Sequence, residues 1–111
     1  MARLIASTEL KDRMATQDVL LVDVGAPTLF EGSHLPGAIN IPIDQLQTVA
    51  IEKKTQFLRR DIIIVYGEKE ELSLSDEASA ILEQCGFDRV GNFFGGRSAW
   101  FNAGYRLEQQ P

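Results

Sequence analysis

The sequence predicts an α/β domain: a central, mostly parallel sheet of about five strands flanked by helices on both faces. Three observations carry this. "DVLLVDVG" and "DIIIVYG" are continuous apolar runs too short for helices and closed by glycine, as strands buried on both faces are. In "SDEASAILEQCGF", Ala78, Ile81, Leu82 and Cys85 fall at i, i+3, i+4 and i+7, the stripe of an amphipathic helix. Helical and extended segments alternate, which indicates parallel units joined by right-handed crossovers.

Taken in order, "ASTELKDRMA" reads as a first helix, capped by Ser7 or Thr8, with Leu10 and Met14 on one face. "DVLLVDVG" is the first clear strand, stopped by Gly25 and Pro27. "APTLFEGSHLPGAINIP" reads mostly as turn and loop, with Ile39 and Ile41 starting another strand. "IDQLQTVAIEKKTQFLRR" reads as a helix with Leu46, Val49, Ala50 and Phe57 inward. "DIIIVYG" is the clearest strand, and the helix after it takes Ser75 as its N-cap, Asp76 and Glu77 in its first turn and Gly86 just past its end. "RVGNFFGG" holds a short last strand, and "RSAWFNAG" a final helical turn or two closed by Gly104.

The chain of 111 residues reads as one domain spanning 1–111, large enough to bury a core unaided. Its 16 acidic against 11 basic residues give a net charge of −5, which argues against nucleic-acid and anionic-membrane binding. The one cysteine, Cys85, excludes an internal disulfide and suits a reducing, cytoplasmic setting. The apolar stretch in "MARLIASTEL" is too short for a secretory leader.

Open α/β sheets bind ligands at the carboxyl ends of their strands, so the loop after Tyr66, from Gly67 to Ser75, is the first place to look. It contains Glu68, Glu70 and Glu71 but no cysteine, histidine or arginine. Elsewhere, Asp23 ends a buried strand and is expected to accept backbone hydrogen bonds. Pro36 and Gly37 form a turn. Gly95 and Gly96 permit a sharp reversal or a close backbone approach. Trp100 plugs the core, its N–H seeking a partner.

The segments "LLVDVG", "FEGSHLPGAINIP", "IIIVYG", "LEQCGFDRV" and "FFGGRSAWFNAG", in this order over residues 4–107, resemble the rhodanese (sulfurtransferase) domain family. The resemblance implies a single rhodanese-like domain in which His34 belongs to a turn and carries no sulfur. It also implies that active members hold a cysteine immediately after the "VY" strand, whose thiolate becomes a persulfide. Such a thiolate needs backbone N–H groups and a helix N-terminus to lower its pKa, and a loop arginine holds the anionic donor. Here the corresponding position is Gly67, and the arginine's ungapped counterpart is Leu72, in a loop two residues longer than the common pattern. The segment Gly67, Glu68, Lys69, Glu70, Glu71, Leu72, Ser73 is therefore expected to be a vestigial active-site loop.

At ~7 Å and an effective dielectric of ~20 to 80, each loop carboxylate repels a unit of negative charge by roughly 0.6 to 2 kcal/mol. Thiosulfate is disfavoured on that ground. Cys85 reads as a small buried hydrophobe at a helix end whose dipole raises a thiol pKa. Ser73 and Ser75 read as capping and turn residues rather than nucleophiles, and one histidine is too little for a metal site. Phosphoryl chemistry, known in related phosphatases, lacks the same cysteine and arginine. The expectation is a catalytically silent binding, regulatory or structural module with no cofactor or metal and a protein partner. Its ligand is expected to be a protein surface or cationic group, with Arg89, Arg97 and the Phe93–Phe94 pair near the last strand as a candidate contact rim, although two adjacent phenylalanines more often belong to the core. The alternative is a sulfurtransferase working through Cys85 or a partner's persulfide.

Overall fold

The computed structural model describes residues 2–109; Met1, Gln110 and Pro111 of the expected domain lie outside the described residues. The elements run β1 (Arg3–Leu4), α1 (Ser7–Thr16), β2 (Val19–Asp23), α2 (Pro27–Gly32), β3 (Ile39–Asn40), α3 (Ile43–Glu52), α4 (Lys54–Leu58), β4 (Ile62–Tyr66), α5 (Leu74–Gln84), β5 (Val90–Phe93) and α6 (Gly96–Asn102), with a single 3₁₀ turn at Glu70–Leu72 before α5. The five strands form one sheet in the order β1-β5-β4-β2-β3, with every pairing parallel.

Alternation along the central strands divides the core into two layers. Leu20, Val22 and Val24 join Ile63, Val65 and Val90 under Leu46, Ala50, Phe57, Ala78 and Leu82 from α3, α4 and α5. Leu21, Ile62, Ile64, Tyr66 and Phe93 point the other way, against Leu10 of α1 and Trp100 of α6. All five side chains of β4 are buried, which is why its sequence shows no polar alternation. The expected sheet with helices on both faces is observed.

Local expectations fared unevenly. The segment read as loop after Gly25 contains α2, started by Pro27, whose fixed φ and missing N–H suit a first helical position. The long helix after Pro42 is two, broken at Lys53, where φ −108° and ψ 25° leave the helical region. Neither Ser7 nor Thr8 caps α1: Ala6 holds the N-cap position and no side chain caps the helix. Likewise α5 begins at Leu74 with Ser73 at its cap, while Ser75 is buried inside the first turn and accepts from the Ser79 hydroxyl through its carbonyl at 2.6 Å. The two-residue β1 has no periodic signal of its own; it exists because the outer edge of β5 accepts it, Arg3 opposite Gly91 and Leu4 opposite Asn92.

β2 has β3 on one side and β4 on the other, so the chain reverses its direction of travel across the sheet between them. A crevice opens at such a switch point, beyond the carboxyl ends of the flanking strands. Asp23 and Tyr66, the last residues of β2 and β4, are register partners there. Two substitutions test the layer assignment by urea unfolding. Leu82→Ala, at a side chain with no exposure, is expected to cost about 2–5 kcal/mol. Ile51→Ala, on the outer face of α3 at 59% exposure, is expected to stay within about 0.5 kcal/mol of the parent. Equal losses would refute it.

Candidate functional site

Gly67 leaves β4 buried, and the Gly95–Gly96 turn at the start of α6 closes over it. Arg97 N–H donates to the Gly67 carbonyl at 3.0 Å and Ser98 N–H to the Glu68 carbonyl at 2.9 Å. This approach needs glycine at position 96. Its φ is +67°, and a Cβ there would stand 2.5 Å from the Gly67 oxygen and 2.9 Å from the Glu68 carbonyl carbon. The expected close approach at Gly95–Gly96 is thus an embrace of the candidate loop itself.

Around that joint lie Asp23, Gly25, Leu29, Gly67, Glu68 and Arg97, enclosing a cavity of only about 10 Å³. That is room for a single water. Asp23 is 6% exposed; its Oδ1 accepts the Gly25 N–H at 2.9 Å, the backbone role expected of it. The Tyr66 hydroxyl lies close enough to influence the same carboxylate and accepts the Leu35 N–H at 3.1 Å, tying the crevice to the segment after α2. Burial pushes the Asp23 carboxyl above its usual range, partly offset by the Gly25 N–H, the Tyr66 hydroxyl and the positive charge of Arg97. Burial, helped by the neighbouring Asp23 charge, also raises the Tyr66 phenol.

Arg97 is the residue sequence reading misplaced. It was grouped with Arg89, Phe93 and Phe94 as a rim, but only Arg97 reaches the site. Phe93 is 1% exposed in the core, Phe94 is half-buried, and Arg89 precedes β5, at the opposite end of the strand. The Arg97 Nη2 donates to Glu68 Oε1 at 2.8 Å. Its Nη1 donates to Ser33 Oγ at 3.1 Å and, at longer range, to the carbonyls of Ser33 (3.3 Å) and Leu29 (3.4 Å). One of the three loop glutamates is therefore neutralised from α6, and the mouth is less acidic than the local sequence suggested.

The rest of the loop is exposed: Lys69, Glu70, Glu71 and Leu72 face outward, with Leu72 at 48%. Ser73 adopts φ 56°, the one positive φ outside glycine among the described residues, and lets the 3₁₀ turn run straight into α5. Such a conformation costs a non-glycine residue of order 1 kcal/mol. Half-buried Leu74 packs on the core and sits over position 67, where an added Cβ would meet its Cβ at 3.1 Å.

The remaining predicted residues are architectural. His34 Nδ1 lies 2.7 Å from the Phe30 carbonyl and its ring stacks on Phe30 at 3.8 Å, while its backbone pairs with Glu108. Gly37, at φ +77°, turns the chain after Pro36 and donates to Glu108 Oε1 at 3.3 Å. Trp100 Nε1 donates to the Arg106 carbonyl at 2.9 Å and its ring meets Phe93 edge-on. Half-buried Cys85 lies at the far end of α5 from Gly67. Eleven residues of helix separate the two ends by roughly 16 Å. Among the described residues no cluster of three or more metal-ligating side chains occurs, and no helix is long and apolar enough to cross a membrane.

A parallel α/β domain whose switch-point crevice is closed by a glycine turn defines the class to which this chain is compared. The sequence profile of the rhodanese-like domain matches residues 6–103. A sulfurtransferase of Allochromatium vinosum is 34% identical over 101 residues, covering 90% of this chain and 89% of that protein. The solution structure of the rhodanese-like domain of the Anabaena Alr3790 protein superposes with a TM-score of 0.83 at 26% identity, over 98% of this chain and 80% of that one. A Staphylococcus aureus rhodanese-like domain protein gives 0.78 at 25% identity, over 98% and 99%. The chain belongs to the rhodanese-like domain family and is homologous to sulfurtransferases.

Two outcomes are expected of the site residues. Gly96→Ala combines a left-handed backbone with a clash against the Gly67 carbonyl, and is expected to cost more than about 2 kcal/mol in urea unfolding; a loss below 0.5 kcal/mol would refute the embrace. For Asp23 the native carboxyl holds its proton more tightly than the unfolded chain does. Its contribution to stability is therefore fully present below the unfolded value near 3.8 and declines as pH rises through the raised native value. Asp23→Asn, whose amide oxygen still accepts from Gly25, removes that dependence. The unfolding free energy of the parent minus that of the variant should fall between pH 4 and neutrality; a flat difference would show that Asp23 is not desolvated.

Proposed function

We propose that position 67 is where active relatives carry the sulfur-bearing cysteine, and that this chain is a rhodanese-like domain that binds a partner without transferring sulfur. One observation carries the reading: the residue that leaves β4 into the crevice is a buried glycine, under Leu74 and beside a cavity of about 10 Å³. A persulfide needs a thiolate at the cradle and room for a second sulfur and its donor; glycine supplies no thiolate, and the small cavity and nearby Leu74 support the same reading. Asp76 and Glu77 already occupy the first turn of α5, where an anionic intermediate would draw on the helix dipole. Asp76 Oδ1 is itself held by Asn92 Nδ2 at 2.7 Å.

The name of the Allochromatium vinosum relative supports a second reading, sulfur transfer. In this chain that chemistry would have to pass through Cys85, half-buried at the far end of α5 from Gly67, or through a persulfide supplied by a partner. The binding reading needs neither. It uses the exposed part of the loop, Lys69 to Leu72, as a contact surface beside the closed crevice.

A thiosulfate-to-cyanide assay with intact-mass measurement of the chain separates the two. The expected result is no thiocyanate above buffer and no added sulfur on the polypeptide after exposure to thiosulfate. Turnover that disappears in Cys85→Ala would overturn the binding-module reading.

A further inference from the structure

We propose that Arg97, at the mouth of the Gly67 cavity, is the centre of a carboxylate-binding site whose resident occupant is the chain's own Glu68, and that a carboxylate ligand enters by displacing that side chain. The inference rests on reading the loop as a binding site, and it names the ligand class.

The guanidinium is aimed before any ligand arrives. Its Nη1 is fixed by Ser33 and Leu29, neutral acceptors that do not depend on Glu68. Its Nη2 is left for an anion and holds Glu68 Oε1 at 2.8 Å. The Arg97 side chain is 19% exposed and that of Glu68 is 35% exposed, so the carboxylate is the more solvent-accessible of the two partners. Exchange requires no backbone movement. The Gly67 and Glu68 carbonyls stay pinned by the N–H groups of Arg97 and Ser98 while the Glu68 side chain rotates outward. Asp23 is buried and its Oδ1 is engaged by the Gly25 N–H, so Glu68 is the carboxylate that holds the guanidinium.

What the arginine is seen to hold defines the ligand: one planar, singly charged carboxylate in a charge-assisted hydrogen bond. A doubly charged oxyanion would face the displaced Glu68 together with exposed Glu70 and Glu71, each adding repulsion that scales with the ligand's charge. The tethered Glu68 competes at an effective concentration in the millimolar range or above, so the parent protein binds weakly and loss of the tether unmasks the site.

The test titrates the isotope-labelled protein with sodium acetate in exchange for sodium chloride at fixed ionic strength, following the Gly67, Glu68 and Arg97 amides and the Arg97 guanidinium by NMR. Glu68→Ala is expected to saturate at an acetate concentration at least about tenfold below that of the parent, and Glu68→Ala/Arg97→Gln not to saturate. Glu68→Ala/Arg97→Met, which keeps the aliphatic stem, repeats the control should the glutamine variant lose its folded amide dispersion. A short peptide with a free C-terminal carboxylate, set against its amidated form, separates the two sources of the ligand. A gain over acetate confined to the free acid assigns the site to protein chain ends, and equal binding of peptide and acetate assigns it to small carboxylates. The proposal is overturned if Glu68→Ala titrates like the parent or if the double variants still saturate. Sulfur transfer in the thiosulfate assay would overturn the non-catalytic reading and leave the acetate result standing, so the two failures are distinguishable.

Discussion

The contact on which the candidate site depends is backbone against backbone: the Gly96 turn pressed onto the carbonyls of Gly67 and Glu68. A side chain at position 96 would occupy the space of the Gly67 oxygen, so the approach exists only because that residue has none. Two N–H donors then fix the loop's entry. From that joint follow the burial of Gly67, the placing of Arg97 over the crevice and the reach of its guanidinium to both Glu68 and Ser33. The same joint links the ends of β4 and β5, adjacent strands in the sheet.

Beneath it, the sheet supplies a crevice for purely topological reasons. β2 is flanked by β3 and β4, so the connections leave in opposite directions and the strand ends are not covered by a shared crossover. Asp23 and Tyr66, register partners, fill the floor, and the Tyr66 hydroxyl spans to the Leu35 N–H. A buried carboxylate is costly without partners; this one has the Gly25 N–H, a phenol and a nearby guanidinium. The polar floor therefore has a structural reason independent of any catalysis.

Elements with a strong period were legible in the sequence, and elements made by long-range demand were not. β4 announces itself because both its faces are buried, and α5 because four apolar side chains recur on one stripe. β1 has only two residues and forms because β5 presents an open edge. Serine caps failed for a common reason. Ser7 and Ser75 lie inside their helices, where chain entry places Ala6 and Ser73 at the cap positions instead. Asp23, Trp100 and the glycine turn were readable because each role is local or almost so. The Arg97–Glu68 pair was not, since 29 residues separate the partners and the loop alone shows only surplus acid.

That pairing bears on the proposed reading of Gly67. A side chain at position 67 would bring its first carbon to 3.1 Å from the Leu74 Cβ, so Leu74 would have to shift by a few tenths of an ångström. Ser73 sets the path into α5 with a left-handed backbone, and Glu68 fills the anionic place beside Arg97. On the proposed reading, each of these takes volume or charge that a persulfide and its donor would use. Gly67 is thus one part of a loop in which an apolar side chain takes the space above it and the neighbouring guanidinium is paired with a carboxylate from the same chain.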